Sequence, residues 1–173
     1  MDFLELIKNR YSCRSFSNKK VEKEKIDKIL EAGRVAPTAM NIQPQRILVL
    51  QDKEKLEALG QCTRYGWGAP VIMIICYDKD ISWKRKYDNQ DEGIVDASIV
   101  TTQMMLEVHN LGLGTTWVGY FDPMKVRKVY EIPENLEIVS ILPIGYPSED
   151  SKPNERHEDR NSIDKMVFWD KIN

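Results

Sequence analysis

The sequence predicts one folded domain that mixes α-helices with β-strands. A chain of 173 residues has the length of a single domain with a sizeable core. Residues 71–75 are apolar throughout, which is typical of a strand that is covered on both faces. Residues 92–110 carry small and apolar side chains on most sides of a predicted helix. That helix is therefore central in the domain or buried at a subunit interface.

The other elements follow from periodicity, helix caps and breakers. Asp2, Asp52 and Asp122 stand where side chains cap helix N-termini, and Pro123 suits a first helical position. We expect a turn at 145–147, where Gly-Tyr-Pro follows the last strand. The predicted helices are 2–9, 21–35, 53–59 and 122–130, and the predicted strands are 46–50 (buried), 70–77 and 136–144.

Composition argues against several classes of protein. The net charge of −2 gives no bulk attraction to nucleic acid or to a membrane surface. No apolar run approaches the ~18 residues of a membrane span, and acids occupy the N-terminus where a signal peptide has bases. The three cysteines lack CxxC spacing, and two histidines cannot form a His-rich metal site. We therefore expect a cytoplasmic protein without a metal, nucleic-acid or membrane partner.

Residues 36–44, Ala-Pro-Thr-Ala-Met-Asn-Ile-Gln-Pro, are the stretch that looks most like a binding loop. Two prolines restrict its backbone and bar a regular helix. Thr38, Asn41 and Gln43 supply donors and acceptors that can bind the edge of a flat polar ligand. The alternative is a polar connector between a helix and a strand.

A second stretch, Arg10-Tyr-Ser-Cys-Arg14, follows the first predicted helix. If it is extended, alternation places Arg10, Ser12 and Arg14 on one face. Two guanidinium groups beside a hydroxyl suit a phosphate, because arginine binds its oxygens through charge-assisted hydrogen bonds. The alternative is a solvated basic edge.

These stretches form an ordered set with Gly112–Gly119 and Pro143–Pro147, and in that order the chain resembles the FMN-dependent nitroreductase family in its short-chain form. The resemblance covers about residues 3 to 169. It implies an α+β sandwich in which helices flank a central, mostly antiparallel sheet. It also implies a homodimer with FMN at the subunit interface, built from a single domain, 1–173, with a C-terminal arm from about residue 150.

The resemblance also assigns roles to individual residues. The phosphate and ribityl chain of FMN would lie against Arg10, Tyr11, Ser12 and Arg160, with Arg156 as the alternative to Arg160. Arg14 would reach either the phosphate or the pyrimidine edge of the flavin. The loop that reaches the flavin from the partner subunit would contribute Pro37, Thr38, Ala39 and Asn41. The isoalloxazine ring would lie along Thr116, Trp117, Val118 and Gly119, with Gln61 nearby. Tyr11 and Val118 depart from the family pattern, because some members carry a basic residue and a glutamate there.

The implied activity is an oxidoreductase that uses NADH or NADPH. Hydride passes to FMN and then to a small electron acceptor, such as a nitroaromatic compound, a quinone or a similar electrophile, in ping-pong turnover. We nominate no side chain as a catalytic acid or base. Two alternatives stay open: a flavin-binding sensor or storage protein without turnover, and a dimeric interaction module whose loops are structural.

Overall fold

A four-stranded antiparallel sheet organises the protein, whose computed structural model describes residues 2–172. Its strand order is β1-β2-β4-β3, and all three strand pairs are antiparallel. The strands are β1 (Gln45–Leu50), β2 (Val71–Asp78), β3 (Gly114–Thr115) and β4 (Leu136–Gly145). The predicted α+β class and its antiparallel sheet are therefore confirmed.

Five α-helices surround the sheet, and they match the predicted ones within three residues at each end. The side chains of Asp2, Asp52 and Asp122 accept hydrogen bonds from N–H groups of the first turn that follows each of them, as predicted. The helices are α1 (Phe3–Asn9), α2 (Lys23–Arg34), α3 (Lys53–Ala58), α4 (Gly93–Asn110) and α5 (Pro123–Tyr130). Short 3₁₀ turns lie at Ala39–Asn41, Leu59–Gln61, Glu155–His157 and Ile163–Lys165.

The strand β2 separates two hydrophobic cores, as its apolar run predicts. Val71, Met73 and Ile75 point into the core that α2 and α4 share. Ile72 and Ile74 point into a second core with residues of α3 and α5. Side chains of a strand alternate between faces, so a strand buried on both sides must be apolar at every position.

Two predicted details are wrong. The strand β1 is half-buried and only Leu50 is fully buried, because β1 lies at the edge of the sheet. Residues 145–147 do not turn: Pro147 pairs with Phe16, and the Ser148 N–H donates to the carbonyl of Ser15. The chain therefore continues past β4 alongside the N-terminal segment, and it turns at 149–150.

The described residues lack two kinds of feature. Between residues 2 and 172 no helix has the length and apolar character needed to cross a membrane. The same residues contain no group of three or more His, Cys, Asp or Glu side chains that could hold a metal ion.

The start of α4 tests how tightly the helix packs on the sheet. A Cβ atom at Gly93 would lie 2.1 and 2.2 Å from two ring carbons of Tyr77. We expect Gly93→Ala to lower the free energy of unfolding by about 1–3 kcal/mol, because the ring has to move. Gly60→Ala is the matched control, since its Cβ meets nothing within 4 Å. Urea denaturation of both variants measures the difference, and equal stabilities would contradict this packing.

Candidate functional site

The N-terminal segment and the C-terminal tail enclose a cationic cavity of about 680 Å³. Four arginines and a histidine line it, against a single carboxylate, that of Glu155. The cavity brings together every residue that the sequence assigned to a phosphate, including both rivals in the tail. Its lining residues are Arg10, Tyr11, Ser12, Arg14, Asn154, Glu155, Arg156, His157 and Arg160.

Backbone pairing with β3 fixes the N-terminal side of this cavity. Ser12 forms a parallel bridge with Thr115, and the Cys13 N–H donates to the Thr115 carbonyl at 3.0 Å. The Cys13 side chain is buried, and a Cβ at Gly114 would lie only 2.6 Å from its sulfur. Glycine at position 114 therefore allows the Cys13 side chain to approach the backbone of β3 closely. Cys13 turns into the core while Ser12 and Arg14 line the cavity, as the predicted alternation requires.

The charges in the cavity suit an anionic group. Burial, and then the nearby charge of Arg160, lower the pKa of the Arg10 guanidinium below its ordinary value. Like charges are thus held together where solvation is reduced, which costs free energy that a bound anion would recover. Guanidinium groups and a serine hydroxyl are also the donors that phosphate oxygens prefer. The residues present therefore fit the phosphate group of a cofactor.

Besides its two arginines, the tail contributes Asn154, Glu155 and His157 to the cavity, and of these three only His157 was a sequence-based candidate for contact with an anion. The Asn154 side chain accepts a hydrogen bond from the Arg156 N–H at 3.1 Å and caps the 3₁₀ turn Glu155–His157. This turn directs His157 toward Tyr11, and the two rings meet edge to face with centroids 6.5 Å apart. The Tyr11 hydroxyl lies 3.1 Å from the Ser151 hydroxyl. The signal in the sequence was the Asn-Glu-Arg-His run, which is a typical capped turn.

Beyond β3, residues 116–119 continue from the cavity along the sheet. Val118 exchanges backbone hydrogen bonds with Ile141, and its side chain is buried in the core below α5. Trp117 packs against the opposite core, while Gly119 is exposed. Thr116 is buried. Because its N–H and its carbonyl both pair with Ile141, Val118 can offer a ligand only van der Waals contact with its backbone, and the predicted contact with a flavin ring would not involve its side chain.

Gln61 lies in a turn that is tied to the end of this segment. The hydroxyl of Thr63 donates to the Tyr120 carbonyl at 2.8 Å, and the Asp122 N–H donates to the Cys62 carbonyl at 3.0 Å. Gln61 itself is exposed, so its amide is free to contact a ligand. These contacts hold residues 62–63 beside residues 120–122, and the position of Gln61 near a flavin ring stays a prediction.

A buried carboxylate holds the loop at 37–43. Asp96, in the first turn of α4, is 3% exposed and accepts a hydrogen bond from the Ala39 N–H at 2.8 Å. The Thr38 hydroxyl accepts from the Gln43 N–H at 3.0 Å. Met40, Asn41 and Gln43 have φ values of 52°, 54° and 56°, in the left-handed region that such residues enter at a cost. The two hydrogen bonds stabilise this strained conformation.

The loop and the cationic cavity lie at opposite ends of α4. Asp96 anchors the loop near the start of the helix, whereas β3, which holds Ser12, begins four residues after its end at Asn110. Residues 96 to 110 of a helix span about 21 Å at ~1.5 Å per residue. Within one chain, the structure therefore does not bring Pro37, Thr38, Ala39 and Asn41 to the other predicted site residues.

Asp96 gives a local test of how the loop is held. We expect Asp96→Ala to speed hydrogen exchange at the Ala39 amide by about tenfold or more, because its acceptor is lost. Asp96→Asn is the matched control, since its carbonyl oxygen can still accept, and it should keep most of the protection. Exchange monitored by NMR measures both variants. Unchanged exchange at Ala39 in Asp96→Ala would show that the carboxylate does not hold the loop.

Comparison with known proteins gives consistent results. The model of the nitroreductase family matches residues 7–67 and 64–146. A crystal structure of a nitroreductase family protein from Clostridium difficile 630 superposes with a TM-score of 0.94 and 42% identity, covering 99% of this chain and 100% of that one.

Two curated relatives have names that describe an activity. A protein of Methanothermobacter thermautotrophicus, provisionally named an NADH dehydrogenase/NAD(P)H nitroreductase, is 34% identical over 86% of this chain and 79% of its own length. The FMN reductase (NAD(P)H) of Bacillus subtilis is 29% identical over 93% of this chain and 73% of its own length.

Proposed function

The chain belongs to the nitroreductase family, and we propose that it is an FMN-dependent oxidoreductase that takes hydride from NADH or NADPH. The observation that carries this proposal is the cationic cavity, whose lining residue Ser12 is bridged to Thr115, the residue directly before 116–119. A phosphate site next to this segment of the sheet suits a ligand with a phosphate at one end and a flat ring at the other.

Each side of the site has a stated role in this proposal. The guanidinium groups of Arg10, Arg14 and Arg160 bind the phosphate together with the Ser12 hydroxyl, and Arg156 assists them. Backbone groups of residues 116–119 face the isoalloxazine ring, with the exposed amide of Gln61 at its side. Tyr11 contributes the edge of its ring and a hydroxyl that Ser151 holds in place.

When bound, FMN supplies the redox chemistry, by accepting hydride from NAD(P)H and passing it to a nitroaromatic compound, a quinone or a similar electrophile. The protein binds and orients the cofactor, and its N–H and guanidinium donors favour negative charge on the ring. The three cysteines do not suit nucleophilic chemistry. All are buried, and burial raises the pKa of Cys76 to about 11. Ping-pong turnover follows if donor and acceptor use the same face of the ring in turn.

A second copy of the chain completes the site in this proposal. The outer face of α4 forms an open apolar groove of about 1060 Å³ with residues of α1 and α2. Ile94, Val95 and Ile99 are exposed there, and so is Phe3 of α1. A long apolar surface of this kind is typical of a protein–protein interface.

Two-fold symmetry explains why a homodimer is the best occupant of this groove. In a symmetric pair whose two-fold axis crosses α4 at a right angle, the same face of α4 meets itself and the two helices run in opposite directions. The loop end of one α4 then lies beside the cavity end of the other. This arrangement removes the separation of about 21 Å along α4. The loop of one subunit can then reach the FMN of its partner through Pro37, Thr38, Ala39 and Asn41.

The C-terminal arm favours the same partner. Every residue from 158 to 172 is exposed on its own chain, including Ile163, Phe168 and Trp169. Trp169 is 85% exposed, which leaves a large apolar side chain without a covering surface in its own subunit. We infer that the arm packs on the partner subunit.

The proposed activity is tested by the absorption spectrum of the purified protein. We expect flavin bands that bleach when NADH or NADPH is added without oxygen and return when a quinone or nitroaromatic acceptor follows. The donor that bleaches faster identifies the preferred nucleotide. Flavin bands that neither nucleotide bleaches would support the sensor or storage alternative. A protein that does not take up added FMN would contradict the site itself.

The proposed dimer is tested by a charge in the groove. We expect Ile99→Asp to shift the protein from twice the 20.1 kDa chain mass to a monomer and to weaken FMN binding at least about tenfold. Met124→Asp is the matched control, because Met124 is an exposed apolar residue of α5 outside the groove. Light scattering after size-exclusion chromatography gives the masses. A wild-type monomer, or an unaffected Ile99→Asp dimer, would contradict this interface.

A further inference from the structure

His157 is the one titratable base in the cationic cavity that can change its charge near neutral pH. Its side chain is 12% exposed and lines the cavity with the four arginines. Guanidinium groups stay charged at every physiological pH, whereas imidazole changes charge between about pH 5 and 8. The charge of the cavity therefore depends on pH through this side chain.

The groups around His157 have opposite effects on its charge. Arg10 and Arg14 line the cavity from the N-terminal segment, and Arg156 and Arg160 line it from the tail, and all four disfavour a further positive charge. Glu155 lines the cavity too, and the Glu158 carboxylate lies 3.7 Å from Nε2. The Tyr11 ring, also in the cavity, packs edge to face against the imidazole.

We propose that His157 is a further ligand of the FMN phosphate and that its imidazole takes up a proton from solvent when the phosphate binds. The phosphate dianion offsets the repulsion between the arginines and a protonated imidazole, so the protonated imidazole is favoured only in the complex. The proton returns to solvent when FMN leaves. This inference rests on the proposed function, because it takes FMN as the ligand.

The sign of the pH dependence follows from this linkage. A protonated imidazole attracts the phosphate and a neutral one does not, and imidazole groups in general change charge between about pH 5 and 8. His157 therefore tightens FMN binding in acid and contributes little in base. The phosphate of FMN itself loses charge below about pH 6, which weakens binding in every variant alike. The ratio of dissociation constants between a variant and the wild type isolates the histidine.

The test is FMN binding to the apoprotein, followed by flavin fluorescence at about pH 6 and about pH 8.5. We expect His157→Gln to raise the dissociation constant about tenfold at the lower pH and less than about twofold at the higher pH. Arg156→Gln is the matched control, because a guanidinium keeps its charge and the ratio should be the same at both pH values. His109, the other histidine of the chain, is present in all variants and cancels in the ratios.

Riboflavin, which lacks the phosphate, is the second control. The ratio of the riboflavin dissociation constants of His157→Gln and wild type should stay near one at both pH values. If His157→Gln does not fold, calorimetry of the wild type in two buffers of different ionisation enthalpy replaces it. At about pH 7.5 the wild type should take up a fraction of a proton with FMN and none with riboflavin.

Three results would overturn the inference. The first is a ratio of FMN dissociation constants, His157→Gln over wild type, that does not change with pH. The second is an equal change in the dissociation constant of riboflavin. The third is the absence of proton uptake when the wild type binds FMN in calorimetry. A wild-type protein that binds FMN but gives any of these results retains the proposed function. A wild-type protein that does not bind FMN at either pH would overturn both proposals together.

Discussion

The packing of α4 across β2 and β4 is the contact on which the rest of the structure depends. Val100, Met104 and Val108 are fully buried on the inner face of the helix. The helix α2 approaches α4 closely because Gly33 has no Cβ, and such an atom would lie 2.9 Å from the Met104 sulfur. This core fixes the position of both ends of α4. One end holds the loop through Asp96, and the other leads into β3 and the cationic cavity.

Unfavourable backbone conformations lie at one end of α4 and unfavourable charges at the other, and this core holds both in place. At one end, three residues of the loop adopt left-handed backbone conformations, each at a cost on the order of 1–3 kcal/mol. At the other end, the half-buried Arg10 lies near the charge of Arg160. Unfavourable conformations and charges persist where a bound ligand recovers their cost, so both features are expected of a binding site.

The sequence predicted most of the elements because their signals are local. Helix caps and the apolar run of β2 involve neighbouring residues, and the structure confirms both. The alternation at 10–14 is confirmed in part, because Arg10, Ser12 and Arg14 line the cavity and Cys13 does not, but Tyr11 lines it as well. The partial burial of β1 and the pairing of Pro147 with Phe16 were missed, because they depend on strand order and on contacts between distant segments.

The same distinction applies to the candidate site. The basic segment and the loop were recognised from their residue types, and the resemblance to a family joined them into one site. Asp96 was taken only as part of a helix, since nothing in its local pattern shows that it binds the Ala39 N–H. The ring contact between His157 and Tyr11 joins residues 146 positions apart, which no local signal reports.

The central claim is that each FMN site combines the cationic cavity of one subunit with the loop of the other. Subunit complementation tests it most directly, with Arg14→Ala/Arg160→Ala as the cavity variant and Thr38→Ala/Asn41→Ala as the loop variant. Each homodimer should bind FMN weakly. A heterodimer of the two, purified through different tags, has one intact site, and we predict that it binds about one FMN with wild-type affinity. A heterodimer that binds FMN no better than either homodimer would contradict the shared site.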